Sequence, residues 1–383
     1  MANSLTALNP EVWKSMVQAY LNKMLVAKEI STVRSEVNQY GDQINFPEVT
    51  DVRVQSYTQG TDLTIDPITA TQSSLIVDQS KAVTFPLDPV QKKQALADYG
   101  ATLVRQSAYQ LRNNMDQHCL ATGVSAASST VAGSSLGVSD IISKVSDVHA
   151  QLMRNNAADG ALFGVVDPER ASLMSQAIIA NGFNLADAQL MNGKFGSALG
   201  FDWYVSNNLK YSVTMTNDTQ PTAGDTLTIA GVTWTCVADG TAASAGEVNI
   251  GADLADWKTI IVKAINGTTS TDYVDVSTAN RRKLQNAQVT AAAFSSDDCT
   301  ITGYGKLSAS ETFTAATNVF GTETTNMLFG QKGAISLAMQ IEPELYIQPE
   351  SAQPVDNYIT ISVWGDKVFS RDVDRLVKLS CNA

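Results

Sequence analysis

The stretch "SYTQGTDLTIDPITATQSSLIVDQSKAVTFPLDP", Ser56 to Pro89, alternates apolar and polar residues over more than one strand's length. It reads as strand, turn, strand, with Gly60 and Pro67 as punctuation. Its apolar residues are too few to cover a core alone. A hairpin of this kind must lay its apolar face on something else, and an unpaired strand edge takes up another chain readily. The rest of the chain has to supply a body that can project such a hairpin.

That body is large. The 383 residues exceed one ordinary domain, and 44% hydrophobic with 17% charged residues is a globular composition. A formal net charge of −12, from 26 Lys+Arg against 38 Asp+Glu, argues against a nucleic-acid grip, which needs basic clusters. Cys119, Cys236, Cys299 and Cys381 are scattered without CxxC spacing, so neither a disulfide framework nor a zinc knuckle is expected. No apolar run reaches the ~20 residues of a membrane span. The start "MANSLTALNPEVWKSM" lacks an export signal, and a soluble protein folded in a reducing cytoplasm is expected.

Asn9-Pro10-Glu11 reads as a helix opening, followed by Val12, Met16, Tyr20 and Met24 at a spacing of four, with Trp13, Val17 and Leu21 beside them. This amphipathic arm calls for a partner surface. Between Gln43 and Leu87 the pattern is β: "INFPEV", "DVRVQSY", "DLTIDPI", "SSLIVD" and "KAVTFPL". Asp88-Pro89 opens a helix in which Tyr99, Leu103, Ser107, Leu111, Met115 and Cys119 recur every four residues, predicting a spine of about 25 residues ending at Gly123. "GVSAASSTVAGSSLG" reads as a small-residue loop. Ile141, Val145, Val148 and Leu152 mark a further helix, and "ALFGVVDPER" a buried strand running into a helix at Asp167-Pro168. "NGKFGSALGFDWYVSNNL" reads as a Gly-rich bend and strand. From about Tyr211 to Asn318 the chain turns Thr-, Ala- and Gly-rich, as in "DTLTIAGVTWTCVAD" and "CTITGYG", with one helix near Leu254 to Ile265. Here an autonomous β-rich insertion with neighbouring ends is expected.

Few residues suggest chemistry. "GSSLG" (Gly133 to Gly137) fits G-x-S-x-G, but a nucleophile elbow needs a strand before it and a His in reach of Ser134 or Ser135. Only His118 and His149 exist, in no metal-ligand pattern; His118 is read as lying near the negative end of the spine. Asp297-Asp298 reads as a turn, "NRRKLQ" as a solvated basic edge, and the sequons at Asn217 and Asn266 carry little without export. No phosphate-cradling Gly loop is present. The chain is read as no enzyme, with no catalytic, cofactor-binding or metal residues and no cofactor.

Four stretches, in this order, resemble the major capsid (coat) protein of tailed bacteriophages with the Hong Kong 97-type fold. They are "GDQINFPEV…SYTQGTDLTIDPITATQSSLIVDQSKAVTFPLD", "LFGVVDPERASLM", "NGKFGSALGFDWYVSNNL" and the closing "GDKVFSRDVDRLVKL". The resemblance implies an α+β fold. It divides the chain into an N-terminal arm (1–40), an extended β-hairpin (41–88) and a spine helix with peripheral domain (89–191). An axial domain with C-terminal strands (192–211 and 319–383) and a β-rich insertion (212–318) complete it. It also implies hexamers and pentamers in an icosahedral shell enclosing double-stranded DNA without sequence-specific binding. A separate scaffolding protein, a portal and decoration proteins follow as partners, with assembly in the bacterial cytoplasm and residence in the virion. Inter-subunit contacts are expected from Trp13, Met16, Val17, Tyr20 and Met24 of the arm and from Tyr57, Leu63, Ile65, Ile68, Leu75 and Val77 of the hairpin. Relatives that cross-link use Lys–Asn bonds; Lys81 lies in the hairpin, with no partner named by the sequence. Alternatives are an encapsulin-like compartment shell and, from another class, a tail or adhesion surface protein.

Overall fold

The computed structural model describes residues 25–36, 42–49, 52–65, 67–87, 99–157, 160–180, 197–314, 317, 319–349 and 356–382. Trp13, Met16, Val17, Tyr20 and Met24, together with the helix opening at Asp88-Pro89, lie outside them.

The spine helix runs from Tyr99 to Ala126, 28 residues and roughly 42 Å at ~1.5 Å per residue. It passes straight through Gly123, which was expected to end it. The glycine serves packing instead: a Cβ there would stand 2.7 Å from Leu328 Cδ2 and 2.8 Å from Ile335 Cδ1, so only a bare backbone lets the spine sit this close to the body. Below it lies a four-stranded sheet in the order Thr32–Arg34, Ile335–Pro349, Asp356–Val368, Gln79–Leu87. Met115 of the spine stripe packs there with Leu337, Met339 and Trp364. Gln79–Leu87 is an edge strand, which tolerates the missing N–H of Pro86.

The second layer is a ten-stranded sheet around Thr324–Gln331, which pairs with Leu162–Val166, Leu376–Asn382 and, through two residues, Lys210–Thr216. Leu162–Val166 is buried at every residue, as a strand covered on both faces must be, and pairs in parallel with Phe201–Val205. Helices Ile141–Arg154 and Pro168–Ala180 accompany this sheet, the former burying the predicted Ile141, Val145, Val148 and Leu152. Phe201, Trp203 and Phe329 meet edge to face at 5.3–5.9 Å between centroids. Ser129–Gly133, read as part of a loop, is a strand parallel to Leu376–Asn382. Its Ser, Ala and Gly carry weak strand propensity around Thr130 and Val131, and the closing strand supplies the pairing.

Strand pairing therefore groups the chain differently from the sequence-based boundaries. Leu162–Val166, assigned with the spine, shares a sheet with Phe201–Val205 and Thr324–Gln331. Ile335–Pro349 and Asp356–Val368, assigned to the axial part, form the core of the sheet on which the spine rests. The insertion boundary at 212 falls inside the strand Lys210–Thr216, whose full length pairs with Asp298–Tyr304. Past that boundary of the insertion, Thr216 is opposite Val319. Within it, Thr226–Ile229 and Val232–Val237 form a hairpin through Ala230 (φ 52°) and Gly231 (φ 69°). Helix Leu254–Asn266 is capped by Asp253, which accepts from the Asp256 N–H at 2.9 Å. The "NRRKLQ" run is helical, Thr278–Asn286, and Arg281 donates to the last carbonyls of that other helix, Ala264 and Ile265. One continuous buried cluster joins Trp234, Trp257 and Ile261 of this region to Phe163, Leu328 and Leu379 of the main sheet.

Candidate assembly surfaces

The hairpin is rooted firmly and projects freely. Gln43–Val49 pairs antiparallel with Ala70–Ile76, from Gln43 opposite Ile76 to Val49 opposite Ala70. At the root Leu75 is fully buried against Ala338 and Phe369, with Ile44, Phe46 and Val77 packed around them. Phe46 and Phe369 meet at 4.7 Å, Lys367 Nζ donates to the Ser74 carbonyl at 2.7 Å, and Ser370 Oγ donates to Glu48 at 2.7 Å. Gly365 permits this seat, since a Cβ there would fall 2.1 Å from the Ile76 carbonyl oxygen.

Leu75 and Val77 thus differ from the expectation for them. They share the alternation of the outer hairpin, but the face they lie on is covered by this chain's own Ala338 and Phe369. Beyond Val49 and Ala70 no ladder continues among the described residues. The limb is held by a turn at Gln59-Gly60 (Thr61 N–H to Thr58 carbonyl, 3.1 Å) and by Gln55 Nε2 donating to the Thr64 carbonyl at 2.8 Å. The described residues of "DVRVQSY" and "DLTIDPI" therefore belong to no sheet. Here Tyr57 is 69% exposed, Leu63 54%, Ile65 91% and Ile68 67%, joined by Val52 at 78% and Val54 at 100%, two residues the sequence reading did not single out. Burying a large apolar side chain is worth about 1.5–3 kcal/mol, so covering these six would contribute on the order of 10 kcal/mol before the cost of association.

A second surface is the outer edge of Ile335–Pro349. Its neighbour Thr32–Arg34 pairs only along Ser336–Ala338, and farther out Leu345, Tyr346 and Ile347 are exposed. The arm enters the body beside it. Val26, Ala27 and Ile30 are buried, and the Asp116 carboxylate of the spine, itself fully buried, accepts the Val26 and Ala27 N–H groups on Oδ1 at 2.6 Å each. Its Oδ2 accepts from Asn208 Nδ2 at 2.7 Å, and Asn208 also donates to Asn113 Oδ1 at 2.9 Å. On the same turn Gln117 donates to the Asn286 carbonyl at 3.1 Å and accepts from Gln288 Nε2 at 3.0 Å, tying the 212–318 region to the spine. Nothing in the sequence pattern marked Asp116 or Gln117; only polar residues in mid-helix hinted at a burial that needs partners.

The remaining candidates lie apart. Ser135 lines a shallow pocket with Leu136, Glu169, Arg170, Ser172, Leu173 and Asn382, without a histidine. His118 is bonded to Asp366, well inside the spine rather than at its end, and His149 lies edge-on to Phe201 at 5.6 Å. Asp297 takes Lys258 at 2.8 Å, and Asp298 opens a strand. Among the described residues no three His, Cys, Asp or Glu side chains converge as a metal site, and no helix is long and apolar enough to cross a membrane. The four cysteines are free and buried; burial pushes Cys236 up to about 12 and Cys299 and Cys381 to about 11, which keeps them from acting as thiolates.

No family model and no curated protein matches the sequence. Solved structures do. A structure from Mycobacterium phage Che8 matches with a TM-score of 0.60 and 16% identity, over 98% of this chain and 98% of that one. The capsid of cyanophage P-SCSP1u matches at 0.60 and 13%, over 100% and 96%. The mature capsid of bacteriophage PhiM1 matches at 0.55 and 12%, over 97% and 92%. At such identities the likeness is one of fold: the chain has the α+β fold of phage capsid subunits. The matched spans run across residues 212–318, so the region set apart in the sequence lies inside the shared extent.

Proposed function

We infer that this chain is the major capsid protein of a tailed bacteriophage, self-assembling into hexamers and pentamers of an icosahedral head around double-stranded DNA. The observation that carries this reading is the outer hairpin. A rigid root on Leu75 and Phe369 holds out six large apolar side chains that the chain's own described residues leave uncovered. A monomer gains nothing from such an arrangement, whereas in a closed shell every copy both offers a limb and receives one. Each contact need not exceed the ~1,600 Å² of a standard interface, since many act at once. The net charge of −12 suits a container wall from which packaged DNA is repelled rather than gripped. A scaffolding protein, a portal and decoration proteins are the partners such a shell calls for, and the host cytoplasm is where it would assemble.

The test is a triple substitution, Val54→Ser, Ile65→Ser and Ile68→Ser, in the full chain co-expressed with its scaffold. The expected result is loss of shells from velocity gradients while the soluble subunit unfolds at the wild-type temperature. Normal yields of shells from the triple variant would refute the role given to the limb.

A further inference from the structure

His118 and Asp366 form a contact that shell assembly does not account for. His118 lies on the spine helix and Asp366 on the strand Asp356–Val368, 248 residues apart, with Nδ1 to Oδ1 at 2.7 Å. Asp366 has no exposed side-chain surface, and its Oδ2 is buried without a hydrogen-bond partner among the described residues. Its charge is therefore balanced chiefly through His118. The imidazole is different: its side chain is 40% exposed, and it lines a cleft of about 520 Å³ open to solvent, so protons reach it. Trp364, buried in the same strand, stands edge-on to the ring at 5.0 Å and fixes its plane. The pair thus spans the interface along which the spine and the four-stranded sheet would have to slide if either moved.

We propose that His118 and Asp366 are a proton-operated clasp between the spine helix and the four-stranded sheet, closed by the imidazolium and loosened by the neutral ring. A protonated ring donates a charge-assisted bond from Nδ1 to a carboxylate that has no other side-chain partner among the described residues. The neutral ring donates at most an ordinary bond and leaves a buried anion under-compensated.

The surroundings support the sign. The hydrogen bond to Asp366 raises His118 above its ordinary value of 6.5, and burial opposes it. The field of Asp366 and of Asp78, at the start of the neighbouring edge strand, raises it further, while Lys81 lowers it. Lys210, Lys378 and Tyr304 line the same cleft from the ten-stranded sheet, and Thr122 lies 3.5 Å from Nδ1 on the spine itself. For a histidine whose folded value is raised, the stabilisation is fully present below about pH 6.5 and is lost as pH climbs through the higher folded value. The clasp is closed in mild acid and opens toward alkaline pH.

Deuterium exchange at the imidazole C2 position, read by mass spectrometry on the full chain, tests this directly because only two histidines exist and His149 is an internal reference. In the wild type the His118 midpoint should lie above 6.5. In Asp366→Asn it should fall, because burial and Lys81 then act against a weaker partner, with His149 unmoved. Backbone exchange of residues 111–119 and 356–368, corrected for intrinsic rates, should quicken through the same midpoint and lose that step in His118→Gln. A wild-type midpoint at or below 6.5, or the same step in His118→Gln, overturns the proposal. Should Asp366→Asn prove insoluble, these two readings still decide.

Discussion

Asp116→Ala asks how the arm is fastened to the body. The carboxylate serves three buried donors: the Val26 and Ala27 N–H groups on one oxygen and Asn208 Nδ2 on the other. An unsatisfied buried donor costs about 1–3 kcal/mol, and Asn208 keeps its bond to Asn113, so two to three orphaned groups add up to roughly 3–5 kcal/mol. Asp116→Asn should cost about half as much. Its oxygen can still serve Val26 and Ala27, but its amide then faces the Asn208 amide, donor against donor. Urea unfolding of the full chain measures the global loss. Tryptic cleavage after Lys28, whose only described ion pair is the surface one with Glu342, measures local release of the arm root. At ~1.4 kcal/mol per tenfold, cleavage in Asp116→Ala should quicken by roughly two to three and a half orders of magnitude. If both substitutions left the unfolding midpoint and the cleavage rate at wild-type values, or if Asn proved worse than Ala, the clamp as described would be wrong.

Other consequences follow from the packing. Gly365→Ala would drive a methyl group into the Ile76 carbonyl and Val77 backbone, so the hairpin root should lift from the sheet; a loss of about 3 kcal/mol in urea unfolding is expected, with a wild-type value as the contrary result. Deleting residues 212–317 should abolish soluble protein, because it removes most of the strand Lys210–Thr216 and opens the cluster that links Trp257 to Leu328; a soluble, cooperatively melting deletion would show the region to be autonomous after all.

Alternation and four-residue spacing told which residues share a face, and there the sequence was a good guide: the spine stripe of Leu111, Met115 and Cys119 is buried, as is the Ile141 to Leu152 stripe. Period two says nothing about what covers a face, which is why Leu75 and Ile68 look alike in sequence but meet opposite fates. Gly123 reads locally as a helix end, and only the proximity of Leu328 and Ile335, two hundred residues on, reveals it as a packing position. The grouping of strands into sheets was hidden for the same reason, since Leu162–Val166 finds Thr324–Gln331 across a long separation. Asp116, Gln117 and Asp366 were invisible because a buried polar residue is recognised by its partners, and those come from distant parts of the chain.

The most direct measurement is electron cryomicroscopy of the wild-type chain expressed with its scaffold. The expected result is closed icosahedral particles in which residues 52–68 of each subunit lie on an adjacent copy, with Val54 and Ile65 out of solvent. Particles in which that limb stays solvated, or a chain that remains monomeric with the limb folded onto its own body, would contradict it.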